Sequence, residues 1–168
     1  MIILRISETL SDEMVRDLRR PHPYAAERVG FMFCRQSALR SGNLLLAYKY
    51  EPIRDDQYLE DHTVGARFDS SSIREAMQTA LAEGSSVFHV HLHEHPGQPR
   101  FSGVDRREMQ QIMPCFVNVR PDRIHGALVL SADSAVAHVW GTTLPPKGHT
   151  PEKITLVGSR TKFWVNHD

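Results

Sequence analysis

Apolar residues fall in short blocks along the chain, separated by Gly, Pro and small polar residues. Residues 2–6, Ile-Ile-Leu-Arg-Ile, read as a strand. Ser11, Asp12 and Glu13 offer an N-cap and an acidic first turn for a helix reaching Arg20, and Pro21 and Pro23 end it. The stretch 25–34 passes from small residues into an apolar strand ending at Cys34, and residues 35–43 read as a hairpin turn before a second strand over 44–53. The charged stretch 54–63 reads as an exposed loop. Asp69, Ser70 and Ser71 cap a helix over 72–83, with Ile73, Met77 and Leu81 on one face and Gly84 as its stop. Residues 87–93 alternate with period two, a loop covers 94–101, and Ser102 opens a helix running through about Met113. A hairpin over 124–131 and 134–140, a loop at 145–148 and short strands at 154–157 and 162–165 complete the chain. Strands that follow strands, with about three helices between, predict one α+β domain over 1–168 built on a mixed, mostly antiparallel sheet.

The alternating block carries the chemistry. In a strand, residues two apart share a face. Phe88, Val90 and Leu92 therefore turn towards the core, and His89, His91 and His93 project together from the side expected to lie away from it. Alternate residues stand about 7 Å apart, close enough for two imidazoles to meet one ion. A catalytic zinc takes three protein ligands and keeps one position open. Asp105, just inside the helix that Ser102 opens, is the natural third ligand. Glu27, just before the apolar strand, is a candidate base for an activated water; on its own it would be an ordinary exposed carboxylate.

Composition narrows the field. The chain has 168 residues, with 20 basic and 20 acidic side chains and ten histidines, so its net charge is zero with histidine neutral. That balance argues against a non-specific nucleic-acid binder and against a membrane-surface protein. No apolar run approaches the ~20 residues of a membrane helix, and no secretory leader is visible, so a cytoplasmic location is expected. Two cysteines, Cys34 and Cys115, make no disulfide framework, and both sit in apolar contexts expected of buried, inert thiols. Trp140 and Trp164 read as packing residues.

Glu27, His91, His93, Ser102 and Asp105, taken together, resemble the JAB/MPN family of metalloproteases, whose signature is called JAMM. The family pattern is a glutamate at the edge of an apolar strand, a later His-x-His, then Ser-x-x-Asp. The register that starts at His91 and His93 brings its serine and aspartate to Ser102 and Asp105. Shifted two residues either way, it meets Arg100 and Gly103, or Val104 and Arg107. Glu94 stands where the family usually has proline. The resemblance covers about 20–140, leaving 141–168 as C-terminal strands or a tail. It implies an MPN fold, similar to cytidine deaminases, and zinc held by His91, His93 and Asp105. It further implies Glu27 as general base and Ser102 as donor to the developing oxyanion. The implied activity is a zinc isopeptidase or peptidase acting on a ubiquitin-like protein tail, as in the prokaryotic branch of the family. Activating-enzyme-like and conjugating-enzyme-like proteins are the implied partners, and segments 54–67 and 98–101 are expected to grip the tail. His89 and His95 would support the metal site or face substrate. Two other readings are a non-catalytic MPN-like scaffold, which normally lacks the ligands, and a different zinc hydrolase or metal sensor.

Overall fold

A computed structural model describes residues 1–61, 63–159 and 161–164. Its strands are β1 (Ile2–Ser7), β2 (Val29–Leu39), β3 (Gly42–Pro52), β4 (Ser86–Leu92), β5 (His125–Leu130), β6 (Ala135–Trp140), β7 (Lys153–Val157) and β8 (Lys162–Trp164). The α-helices among the described residues are α1 (Glu8–Leu18), α2 (Ser70–Glu83) and α3 (Gly103–Val119), with a short 3-10 turn at Asp55–Gln57. The expected loop includes His62 and the expected last strand includes Val165; both lie outside the described residues.

The chain is α+β, as its element order predicts. All eight strands join one sheet in the order β6-β5-β4-β2-β3-β1-β7-β8. The sheet is more evenly mixed than expected. β2–β3, β2–β4, β5–β6 and β7–β8 pair antiparallel, whereas β1–β3, β1–β7 and β4–β5 pair parallel. Hydrophobic alternation sets which face a side chain takes and carries no information on which strand lies beside which. The parallel pairs were therefore invisible to it.

Each face of the sheet carries its own core. On one face Leu10, Met14 and Leu18 of α1 pack on Leu4, Ile6, Met32, Phe88 and Val90. On the other, Ala76 and Ala80 of α2 and Met109, Met113 and Phe116 of α3 pack on Val29, Phe31, Phe33 and Val87. Every residue of β4 is buried. The histidine face of β4 is thus not a non-core side: α2 and α3 cover it.

Other expectations shift for local reasons. α1 starts at Glu8 because Ser7, the last residue of β1, accepts the Leu10 N–H on its own hydroxyl; Ser11 is buried within the helix. The hairpin turn is shorter than expected, since β2 runs to Leu39 and β3 begins at Gly42. On α2, Ile73 and Met77 do join the core, but Leu81 is 60% exposed; the small residues Ser72, Ala76 and Ala80 let the helix lie close to the sheet. Gly84 ends α2 in the left-handed conformation (φ 66°), as predicted. α3 continues past Pro114 to Val119. The missing Pro114 N–H frees only the carbonyl of exposed Gln110, while Met113 and Phe116 hold the helix on the core. The stretch 54–63 is not wholly exposed: Gln57 and Tyr58 are buried, and the Tyr58 hydroxyl accepts the Val29 N–H at 2.8 Å. Cys34 is buried, and burial pushes its thiol pKa up, whereas Cys115 is half-buried on α3. No helix among the described residues is long and apolar enough to cross a membrane.

His125 supplies a pH signature. It is fully buried; its Nδ1 accepts the Val87 N–H at 3.2 Å and its Nε2 lies 3.0 Å from the Arg120 carbonyl, which fits a neutral ring donating from Nε2. Burial pushes its pKa down to about 4, below the 6.5 of a free side chain. As pH falls from 6.5 towards 4, the unfolded chain takes up a proton that the folded chain refuses, so this group removes about 1.4 kcal/mol of stability per pH unit. Urea unfolding at pH 7 and pH 5 should show His125→Gln losing less stability over that interval than the parent protein, by about one proton's worth. Equal losses would contradict the assignment.

Candidate metal centre

The site is built where β2 meets β4. Val29 pairs with His91, Gly30 with Val90 and Phe31 with His89. Continued two residues past the ladder, that register sets Glu27 opposite His93. Among the described residues, one group of possible metal ligands forms: Glu27, His91 and His93, with their ligand atoms all within 4.8 Å of one another.

Several contacts fix the Glu27 backbone. Its N–H donates to the Gly65 carbonyl at 2.9 Å. Arg28, next in the chain, is 3% exposed and donates to the Arg20 carbonyl (2.7 Å), the Pro21 carbonyl (3.1 Å) and Asp55 (2.7 Å). The Arg28 guanidinium holds the Asp55 carboxyl below its usual range. Gly65 also packs against the carboxylate: a Cβ there would lie 2.9 Å from Glu27 Oε2, so a larger residue would push the carboxylate aside.

Asp105 reaches the site from α3. Ser102 and Asp105 form a reciprocal cap, the Ser102 hydroxyl accepting the Asp105 N–H at 3.1 Å and Asp105 Oδ2 accepting the Ser102 N–H at 2.6 Å. This leaves Asp105 Oδ1 at 3.5 Å from His91 Nε2, an electrostatic contact too long for a hydrogen bond. Burial opposes ionisation of Asp105, but the His91 ring and the Ser102 N–H outweigh it and hold the carboxyl well below its usual range. Asp105 lies outside the closest trio but shares its pocket.

That pocket, of about 120 Å³, is lined by Glu27, His91, His93, Ser102 and Asp105, and also by His89 and Glu108. All five residues singled out by the sequence therefore meet in one cavity. His91 and His93 join the trio, whereas His95 is exposed outside it and His89 lies deeper, between Phe31 and Phe68. Burial, reinforced by neighbouring His91, pushes His89 down to about 3 and His93 below its usual value. Glu108 was missed by sequence reasoning, because the pattern stops at Asp105 one helical turn earlier. Burial and the nearby Asp105 carboxylate raise its pKa. Gly65 and Ala66 also line the pocket and carried no signal beyond their small size. Glu27 borders a second, wider groove of about 470 Å³ as well, alongside Arg19, Leu92 and Glu94.

No protein-family model and no curated protein matches this chain. The chemistry therefore rests on the geometry of these side chains.

His91 tests whether the site suits a cation. It is 2% exposed, and neither ring nitrogen has a hydrogen-bond partner among the described residues. Stranding a buried polar atom costs about 1–3 kcal/mol. An ion ligated by one of these nitrogens removes part of that cost, and imidazoles with carboxylates are a donor set that zinc accepts. Calorimetric titration of the metal-free protein should show one zinc per chain. His91→Ala and His93→Ala should each weaken it by about 100-fold or more, since loss of a direct ligand exceeds the 10–100-fold typical of supporting residues. Asp105→Asn should weaken zinc more than Glu27→Gln if Asp105 is the third ligand; the reverse order would make Glu27 the ligand.

Proposed function

We propose that the protein is a zinc-dependent isopeptidase or peptidase that removes or processes the tail of a ubiquitin-like protein. The observation carrying this reading is the meeting of Glu27, His91 and His93 in a small pocket that Ser102 and Asp105 also line. The order of elements and the register of the histidine pair agree with the JAB/MPN resemblance.

His91, His93 and Asp105 would hold the ion, leaving Glu27 free for proton transfer. Bound there, zinc supplies a Lewis acid that polarises the scissile carbonyl and brings the pKa of water down towards ~7. The remaining work belongs to the chain. Glu27, half-buried between the pocket and the wider groove, takes the proton of the attacking water on its carboxylate and delivers it to the leaving amine. Its tie to Gly65 and the anchoring of Arg28 spare it reorganisation during transfer. Ser102, exposed at the pocket, keeps its hydroxyl hydrogen for the developing oxyanion, because its oxygen is the acceptor in the helix cap. Val29, Val104 and the cover from α2 and α3 limit water around the reacting atoms.

The segment after β3 turns back on itself through a bridge between Tyr58 and Phe68, beside the pocket wall at Gly65 and Ala66. A substrate tail pairing with it in extended form fits recognition by strand addition. Activating-enzyme-like and conjugating-enzyme-like proteins are the corresponding partners.

Zinc-loaded protein should cleave a fusion carrying the cognate ubiquitin-like modifier, and chelation should abolish cleavage. Glu27→Gln should lower kcat by about 10²-fold or more, in line with the size of general-base effects, while zinc stays bound. Unchanged cleavage by Glu27→Gln, or none by the zinc-loaded parent, would overturn the proposal.

A further inference from the structure

The inner part of the pocket holds polar groups that this mechanism leaves unused. His89 is 1% exposed, and neither of its ring nitrogens has a hydrogen-bond partner among the described residues. Its contacts are those of an aromatic core residue: it stacks on Phe68 at 6.1 Å and meets Phe31 edge-on at 6.0 Å. A phenylalanine would make the same contacts without stranding two polar atoms. A histidine here is explained by something that enters the pocket and pairs with it.

Glu108 lines the same pocket from α3, half-buried, and no hydrogen bond or ion pair holds its carboxylate among the described residues. Val29, Ala66 and Val104 supply apolar wall. Three carboxylates face this small space, from Glu27, Asp105 and Glu108, and a divalent cation offsets two of their charges. The ligand that suits apolar walls, an imidazole acceptor and a crowd of carboxylates is a primary amine on an unbranched alkyl chain.

We propose that His89 and Glu108 form a subsite for the leaving amine and its alkyl chain, distinct from the metal ligands. This rests on the reading of the pocket as an amide-cleaving site. An imidazole nitrogen of His89 accepts from the N–H of the bond to be cut, and Glu108 receives the released amine as an ammonium group once it has taken up the proton that the new carboxylic acid gives up. The pocket, about 120 Å³ with Val29 and Val104 in its wall, leaves less room for a branched α-amine than for an unbranched lysyl-type chain.

The test needs no turnover. n-Butylammonium is titrated into zinc-loaded protein at pH 7 and followed by NMR. It should bind the parent, and His89→Phe and Glu108→Gln should each weaken it at least tenfold, with zinc affinity within threefold of the parent. His89→Phe should also melt at the same or a higher temperature, a result a structural histidine would not give. Should that variant fail to fold, the half-buried Glu108→Gln decides the matter alone. No binding to the parent, equal binding to the variants, or a tenfold loss of zinc affinity would overturn the subsite. Amine binding without cleavage of any fusion would refute the proposed function and leave the subsite standing. Cleavage with unaltered amine binding in the variants would do the opposite.

Discussion

The antiparallel ladder between β2 and β4 is the constraint on which the site depends. Its register, Val29 against His91, does two jobs. It turns His89 and His91 to the same face as Val29 and Phe31, under α2 and α3, and it brings the residues just before β2 alongside those just after β4. A slip of one residue would send the histidines to the α1 face and their apolar neighbours to the helix-covered face. Both faces of β4 are buried, so such a slip would place imidazoles among Leu10, Met14 and Leu18 and leave the pocket without ligands.

The rest of the molecule supports that ladder from outside. Tyr58 and Arg28 fasten the start of β2, one through its hydroxyl on Val29 and the other through two carbonyls and Asp55. Gly65 closes on Glu27. At the far end of β4, the loop carrying His95 is tied to the β5–β6 turn: Ala132 N–H donates to the His95 carbonyl, Gly97 N–H to Asp133, and the Ser131 hydroxyl to the Gly97 carbonyl. The loop between β4 and α3 is therefore anchored before it delivers Ser102 and Asp105. Each ligand-bearing segment is held by hydrogen bonds to its backbone, as a preorganised site requires.

Much of this was legible in the sequence because short-range rules decided it. The period-two block at 87–93 identified β4 and its histidine row, Gly84 marked the end of α2, and Ser102 announced α3 together with its aspartate. Features set by long-range packing were not legible. That α2 and α3 would cover the histidine face depends on the small residues Ser72, Ala76 and Ala80, whose alignment on one side of the helix is a weaker signal than the Ile73–Met77–Leu81 row. The continuation of α3 beyond Pro114 depends on Met113 and Phe116 finding the core. Glu108 belongs to no motif and acquires its place in the pocket only once α3 lies on the sheet.

Folding alone brings His91, His93 and a carboxylate to one point. Anomalous diffraction at the zinc edge from crystals of zinc-loaded protein tests it most directly. A single strong peak is expected within bonding distance, about 2.0–2.2 Å, of one nitrogen from each of His91 and His93 and of a carboxylate oxygen. A peak on His89 or His95 in place of His91, or no ordered zinc in this pocket, would contradict it.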